Sequence, residues 1–327
     1  MTPEHIHPGP AGPGPAWHDL AGWCVTAGAL LACAAYLLAA RRLRRRGDAW
    51  PWPRDAVFTT GCLAVAWAMT AEPPGGPFTS HVTRHLVVGM AAPLLLVLGR
   101  PLTLALRALP PGPLRRALPA AAHARPVAVL LLPPVAAVLD LGGLWLLHRT
   151  GLFAAAHRQP LLYAVTQAHV LAAGLLFTFA VCQLDPVRRR RSLALRGSAL
   201  LAAGAAHAVL AKGLYGAPPP GTDFTAADLR TGAQLMYYGG DLVEIALAVT
   251  LAVQWYARRH APRPTGLRGP EHRPPGHPHR RARPGSHRVR PVQALEGRLR
   301  ACGHPPGRRL SDRWPAEGCR TGPSGSV

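Results

Sequence analysis

Two histidines four residues apart, His81 and His85, are the side chains of this sequence best placed to bind a ligand together. In an α-helix, residues four apart lie on the same face, so both imidazoles would point to one side. Imidazole is a good ligand for copper, zinc and iron. The residues that follow, 86–98, are apolar and end before Arg100-Pro101. The pattern predicts a transmembrane helix with a metal-binding pair at its mouth.

Other ionisable residues lie within or beside apolar stretches, where such side chains usually face the interior of a helical bundle. The candidate metal ligands are His81, His85, His169 and His207. The residues expected to balance charge or to orient the imidazoles are Asp140, His148, Asp241 and Glu244. Almost all of them are predicted to lie in the half of the membrane away from the cytoplasm.

Copper is the metal we consider first, because Met90 or Met236 could add a thioether ligand for Cu(I). The same polar groups could instead hold helices together through hydrogen bonds. They could also line a pathway for protons or a solute. The residue types and their spacing leave these three interpretations open.

The elements that position these residues are apolar windows of about 18–25 residues, which are typical of membrane-spanning helices. Such windows predict an all-α integral membrane protein, a bundle of about seven transmembrane helices. The predicted spans are 17–40, 55–71, 82–99, 126–147, 160–184, 193–214 and 232–256. Pro133-Pro134 should kink the fourth span.

The distribution of basic residues predicts the orientation of the bundle. Loops 41–54, 100–125 and 185–196 hold sixteen lysines and arginines, whereas the loops on the other side hold five. Because cytoplasmic loops are enriched in basic residues, the N-terminus is expected outside and the C-terminus inside. The net charge of +22 therefore does not indicate nucleic-acid binding, since the arginines lie in blocks between apolar segments and in the tail.

The predicted domains are an extracytoplasmic disordered arm at 1–16, a membrane domain at 17–257 and a cytoplasmic tail at 258–327. The tail is rich in Pro, Gly and Arg, has few large apolar residues and is expected to be disordered. The chain contains no HExxH, GxSxG or P-loop motif. No nucleophile with a fitting base is visible either, so we expect a protein that is not an enzyme.

Three segments resemble the CtaG-type cytochrome c oxidase assembly proteins, the caa3 oxidase assembly factors of bacteria, in their high-GC Gram-positive form. They are 81–101 with His81 and His85, 206–215 with His207, and 232–244 with Asp241 and Glu244. Val82 stands where the family pattern usually has methionine. The likeness covers about residues 17–257.

The resemblance implies a multi-pass protein of the bacterial plasma membrane that is needed to form active haem-copper oxidase. Its implied partners are cytochrome c oxidase subunits and the lipid bilayer. Our main hypothesis is an assembly factor that holds or passes copper. The alternative is a membrane transporter for copper or a small solute, which would be expected to show inverted repeats or broken helices at the midplane.

Overall fold

The computed structural model describes residues 17–122, 124–185 and 190–260, with side chains described from residue 22 onward. Within these ranges the chain forms helices and no strands. The predicted arm at 1–16 and nearly all of the predicted tail lie outside the described residues. The prediction of an all-α protein is therefore confirmed for the part that the structure describes.

The helices follow one another with short connections, which suits neighbours in a bundle. In chain order they are α1 Trp17–Arg45, α2 Trp52–Thr70, α3 Pro77–His85, a π-helical segment Leu86–Ala91, α4 Ala92–Leu98, α5 Pro101–Ala108, α6 Pro113–Ala122, α7 Arg125–Leu130, α8 Pro133–Arg149, α9 Leu152–Arg158, α10 Pro160–Cys182, α11 Leu193–Gly216 and α12 Ala226–Arg259.

Five helical segments of the described ranges are long and apolar enough to cross a membrane, which indicates a membrane protein. They are Gly22–Arg45, Pro77–Ala108, Pro160–Cys182, Leu193–Gly216 and Ala226–Arg259. The second and fourth predicted spans correspond to α2 and to α7 with α8. The count of seven spans and the orientation of the termini stay predictions.

The fourth predicted span is broken where the sequence carries Pro133-Pro134. Helix α7 ends at Leu130 and α8 begins at Pro133. Proline fixes φ and lacks a backbone N–H, so it fits the first turn of a new helix and interrupts a continuing one. The predicted kink is thus a short non-helical break.

The segment that carries His81 and His85 begins at Pro77, five residues before the predicted start, and changes to π-helical geometry directly after His85. Helix α10 packs closely against the π-helical segment. A Cβ atom on Gly174 would overlap the carbonyl group of Gly89. Glycine at this position lets the two backbones touch, as small residues do between membrane helices.

Asp228 of α12 fixes the N-terminus of α3. Its carboxylate accepts hydrogen bonds from the backbone N–H groups of Phe78 (2.8 Å) and Thr79 (3.0 Å), and from the Thr79 hydroxyl (2.6 Å). A carboxylate at this place satisfies free N–H groups and complements the helix dipole. Next to this contact, Phe78, Val82 and Met236 belong to one buried apolar cluster. The contacts between α3 and α12 therefore fix the position of α3, the helix that carries His81 and His85.

Candidate functional site

The inner part of the site is a cavity between the π-helical segment and α8, α10, α11 and α12. The polar or soft side chains that line it include His85, Met90, Asp140, His207 and Glu244. The ring centroids of His85 and His207 are 6.2 Å apart. His207 Nδ1 lies 3.7 Å from Glu244 Oε1, which is beyond hydrogen-bond distance. The Glu244 carboxylate is nevertheless close enough to attract a cation that His207 binds. The cavity thus combines imidazole, thioether and carboxylate groups.

Two glycines leave room for the side chains of this cavity. A Cβ atom on Gly240 of α12 would overlap the His207 ring, and one on Gly204 of α11 would overlap the Glu244 carboxylate. Close packing of α11 against α12 therefore depends on the absence of side chains opposite these two groups. Both glycines lie in the helices that supply the polar groups.

A second set of imidazoles lies near the start of the helix formed by α3, the π-helical segment and α4, which we call the central helix. We call His81, His148 and His157 the histidine trio. The ring centroid of His81 is 5.5 Å from that of His148 and 5.7 Å from that of His157. The Phe153 ring contacts all three and is almost fully buried. The trio therefore lies against an apolar wall.

Hydrogen bonds fix the tautomers of two members of the trio. His148 Nδ1 lies 3.0 Å from the Leu144 carbonyl oxygen, and His157 Nδ1 lies 2.9 Å from the Phe153 carbonyl oxygen. Because a carbonyl oxygen only accepts, Nδ1 carries the proton in each neutral ring and Nε2 keeps its lone pair. Metal-binding histidines are usually oriented by such a bond to the other nitrogen.

Five imidazole nitrogens are buried without a hydrogen-bond partner among the described residues: His81 Nε2, His85 Nδ1, His85 Nε2, His148 Nε2 and His207 Nε2. A buried polar atom without a partner costs about 1–3 kcal/mol. Buried polar groups in a native protein are nearly always paired, so unpartnered groups need an explanation, and a bound ion is one that suits several imidazoles together. These nitrogens suit a ligand that needs electron-pair donors.

The imidazole rings are close enough, two at a time, to bind one metal ion together. A metal lies about 2.0 Å from an imidazole nitrogen, so two rings on one ion have centroids at most roughly 6.4 Å apart. His81 with His148 and His85 with His207 both meet this limit. As placed, no group of three or more His, Cys, Asp or Glu side chains in the described ranges could hold one ion. The donors therefore fit a metal that accepts low coordination.

The remaining predicted site residues lie beside the cavity and do not all line it. His169 is exposed, its Nε2 lies 3.2 Å from the Leu139 carbonyl oxygen, and Gly143 leaves room for its ring. Asp241 lies with Glu244 in a groove between α11 and α12. The structure brings His85, His207, Glu244 and Asp140 together, places His81 beside His148, and leaves His169 apart.

Comparison with known proteins bears on this arrangement. A model of the family described as cytochrome c oxidase caa3 assembly factor (Caa3_CtaG) matches residues 34–258, which include every helix that lines the site. The chain belongs to the CtaG family. The resemblance noted from the sequence is therefore confirmed. No solved structure matches this chain.

Three curated relatives from mycobacteria match the chain, and each is named only as an uncharacterised protein. The one from Mycobacterium leprae is 29% identical over 241 residues, which cover 67% of this chain and 36% of the relative. Those from Mycobacterium bovis and Mycobacterium tuberculosis are each 34% identical over 173 residues, or 50% of this chain and 26% of the relative. This CtaG chain thus spans about a third of the length of the first relative.

Sequence reasoning missed two residues of the site. The sequence assigns no role to His157, but the turn between α8 and α9 brings it beside His81. Asp228 was not noted, although Thr225 begins a Thr-x-x-Asp pattern that marks the start of a helix. That pattern could have shown where α12 starts. It could not have shown that the carboxylate caps a different helix, which is a contact across 150 positions.

Proposed function

We propose that this chain is a membrane assembly factor for a haem-copper cytochrome c oxidase and that it holds copper for the oxidase without being an enzyme. The observation that carries this proposal concerns the imidazoles of His85 and His207 in a cavity that Met90 also lines. Both rings have buried nitrogens without a hydrogen-bond partner in the part of the chain that the structure describes. The family of the chain supports the link to oxidase assembly.

The donor set suits copper as a cargo. A thioether favours soft ions such as Cu(I), imidazole also binds copper, and Cu(I) accepts few ligands. Glu244 would balance the charge of a bound cation in surroundings of low polarity. If Glu244 does not bind the ion directly, the cavity offers Cu(I) the imidazoles of His85 and His207 and the thioether of Met90.

The site lies within membrane-spanning helices, so we place its action in the bacterial plasma membrane, in contact with oxidase subunits. The predicted orientation puts the His81 end of the central helix outside the cytoplasm. Copper that arrives from outside could then enter at that end and be passed on in the plane of the membrane. This route is part of the proposal.

The first test uses membranes from a strain that lacks the gene. We would record haem a absorbance and cytochrome c oxidase activity with and without added copper. Loss of activity that copper restores is the expected result. Loss that copper does not restore would contradict copper delivery and indicate subunit folding or haem insertion. Normal oxidase together with a defect in copper uptake would support the transporter alternative instead.

Complementation makes the test specific for the site. We would return the unaltered gene, a His85→Ala/His207→Ala variant and a His260→Ala control to the strain. His260 is exposed and lies at the end of α12, away from the cavity. We expect the double variant to fail and the control to restore activity at low copper. Equal restoration by both variants, at equal amounts of protein in the membrane, would refute the role of the cavity.

A further inference from the structure

We infer that the chain holds two copper ions in sequence, one between His81 and His148 of the histidine trio and one in the cavity. This inference rests on the proposed function and adds a binding site to it. The trio contains His157, which no sequence pattern assigned to metal binding, and His148, which the sequence suggested only as a supporting group. The cation would be Cu(I), bound first by imidazoles alone.

The trio has the features of a site of its own. His148 is 1% exposed, and its Nε2 has no hydrogen-bond partner among the described residues. The unpartnered Nε2 of His81 belongs to the ring beside it, at 5.5 Å between centroids. Backbone carbonyls hold the Nδ1 atoms of His148 and His157, which leaves Nε2 of each as the donor. His81 and His148 therefore offer two imidazole nitrogens to Cu(I), and the third ring, that of His157, lies beside His81.

The cavity is separate from the trio yet close to it. His81 and His85 lie one helical turn apart, about 6 Å along the axis. His81 contacts rings from α8 and α9, whereas His85 pairs with His207 of α11. The rings of His81 and His85, one turn apart on the central helix, thus contact different histidines. A Cu(I) ion could exchange imidazole ligands from one pair to the next without a change of oxidation state.

The chemistry of the two sites gives the transfer a direction. The trio offers only imidazoles, and His157 is exposed, so a copper ion can enter there. The cavity adds the thioether of Met90, which favours Cu(I). It also adds the carboxylate of Glu244, which balances the charge of the ion. We therefore expect the cavity to hold copper more tightly than the trio.

The test counts ions. Cu(I) buffered with bicinchoninate would be titrated into the full chain in detergent micelles. Because the chain has 16 histidines, the readout is the difference from the unaltered protein. We expect His148→Ala to bind one ion fewer, His207→Ala one fewer, and the double variant two fewer. His260→Ala should bind the same number as the unaltered protein.

Other outcomes separate this inference from the proposed function. If the double variant loses only one ion, or His148→Ala loses none, there is a single site and the inference is wrong while copper binding stands. If no variant differs from the unaltered protein, both the inference and the proposed function fail. His148→Gln, which keeps a polar side chain of similar length, serves as second variant if His148→Ala does not fold, and the same loss of one ion is required of it.

Discussion

Asp228→Ala should loosen the helix that carries the histidines without touching any of them. In the structure, the Asp228 carboxylate accepts three hydrogen bonds from the first turn of α3, at 2.6–3.0 Å. Alanine would leave the N–H groups of Phe78 and Thr79 without this acceptor. The position of His81, one turn further along α3, depends on the same first turn.

The expected loss follows from the type of contact. Removal of a side-chain cap costs about 0.5–2 kcal/mol, and hydrogen bonds to a charged group contribute about 1.5–3 kcal/mol each. Water at the end of the helix would replace part of this, so we expect Asp228→Ala to lower the free energy of unfolding by about 2 kcal/mol. Asp228→Asn keeps an acceptor oxygen but loses the charge, and should lose about 1 kcal/mol.

Reversible unfolding in mixed micelles of a mild detergent and dodecyl sulfate, followed by circular dichroism, would measure these differences. Asp223→Asn is the matched control, because Asp223 is exposed in the preceding loop and the same charge is removed. We expect it to stay within about 0.5 kcal/mol of the unaltered protein. If Asp228→Ala also stays within that limit, Asp228 does not hold α3 and the reasoning is refuted.

Three further changes test other parts of the account. Gly240→Ala places a Cβ against the His207 ring, so it should lower the Cu(I) affinity and reduce the free energy of unfolding by about 1–3 kcal/mol. Gly142→Ala is the control, because a Cβ there has nothing within 4 Å and should not destabilise the protein in the same unfolding assay. His169→Ala should leave Cu(I) affinity unchanged within about twofold in a competition titration, because His169 does not line the cavity; a tenfold loss would restore it as a ligand. Arg196→Met should cost about 2–3 kcal/mol in thermal or detergent unfolding, since the buried guanidinium donates to two carbonyl oxygens and to a glutamine; an unchanged protein would contradict this.

The helices of this protein could be predicted because apolar length and proline positions are local signals. The break at Pro133 and the helix that contains His81 and His85 both follow from such signals. The five residues by which α3 precedes the predicted span have a physical cause. The first turn of α3 follows a loop rich in Pro and Gly, and its N-terminus is fixed by Asp228 from another helix, which no local pattern records.

The site could be predicted only in part, because spacing along a helix gives a face but not the partner of that face. His81 and His85 share a face of one helix, yet they contact different neighbours. His169, like His207, is a histidine within a predicted membrane span, but its ring lies beside the Leu139 carbonyl group and is exposed. Only the packing of α8, α10 and α11 gives His169 and His207 their different surroundings.

The most direct test of the account is the Cu(I) affinity of the purified full chain, measured by competition with bicinchoninate in detergent. His85→Ala and His207→Ala each remove one ring of the pair at 6.2 Å, and His260→Ala is the control. The account predicts at least a tenfold loss of the tightest affinity for each of the first two and no change for the third. Affinities within about twofold of the unaltered chain for all three variants would contradict the claim that these buried imidazoles hold copper.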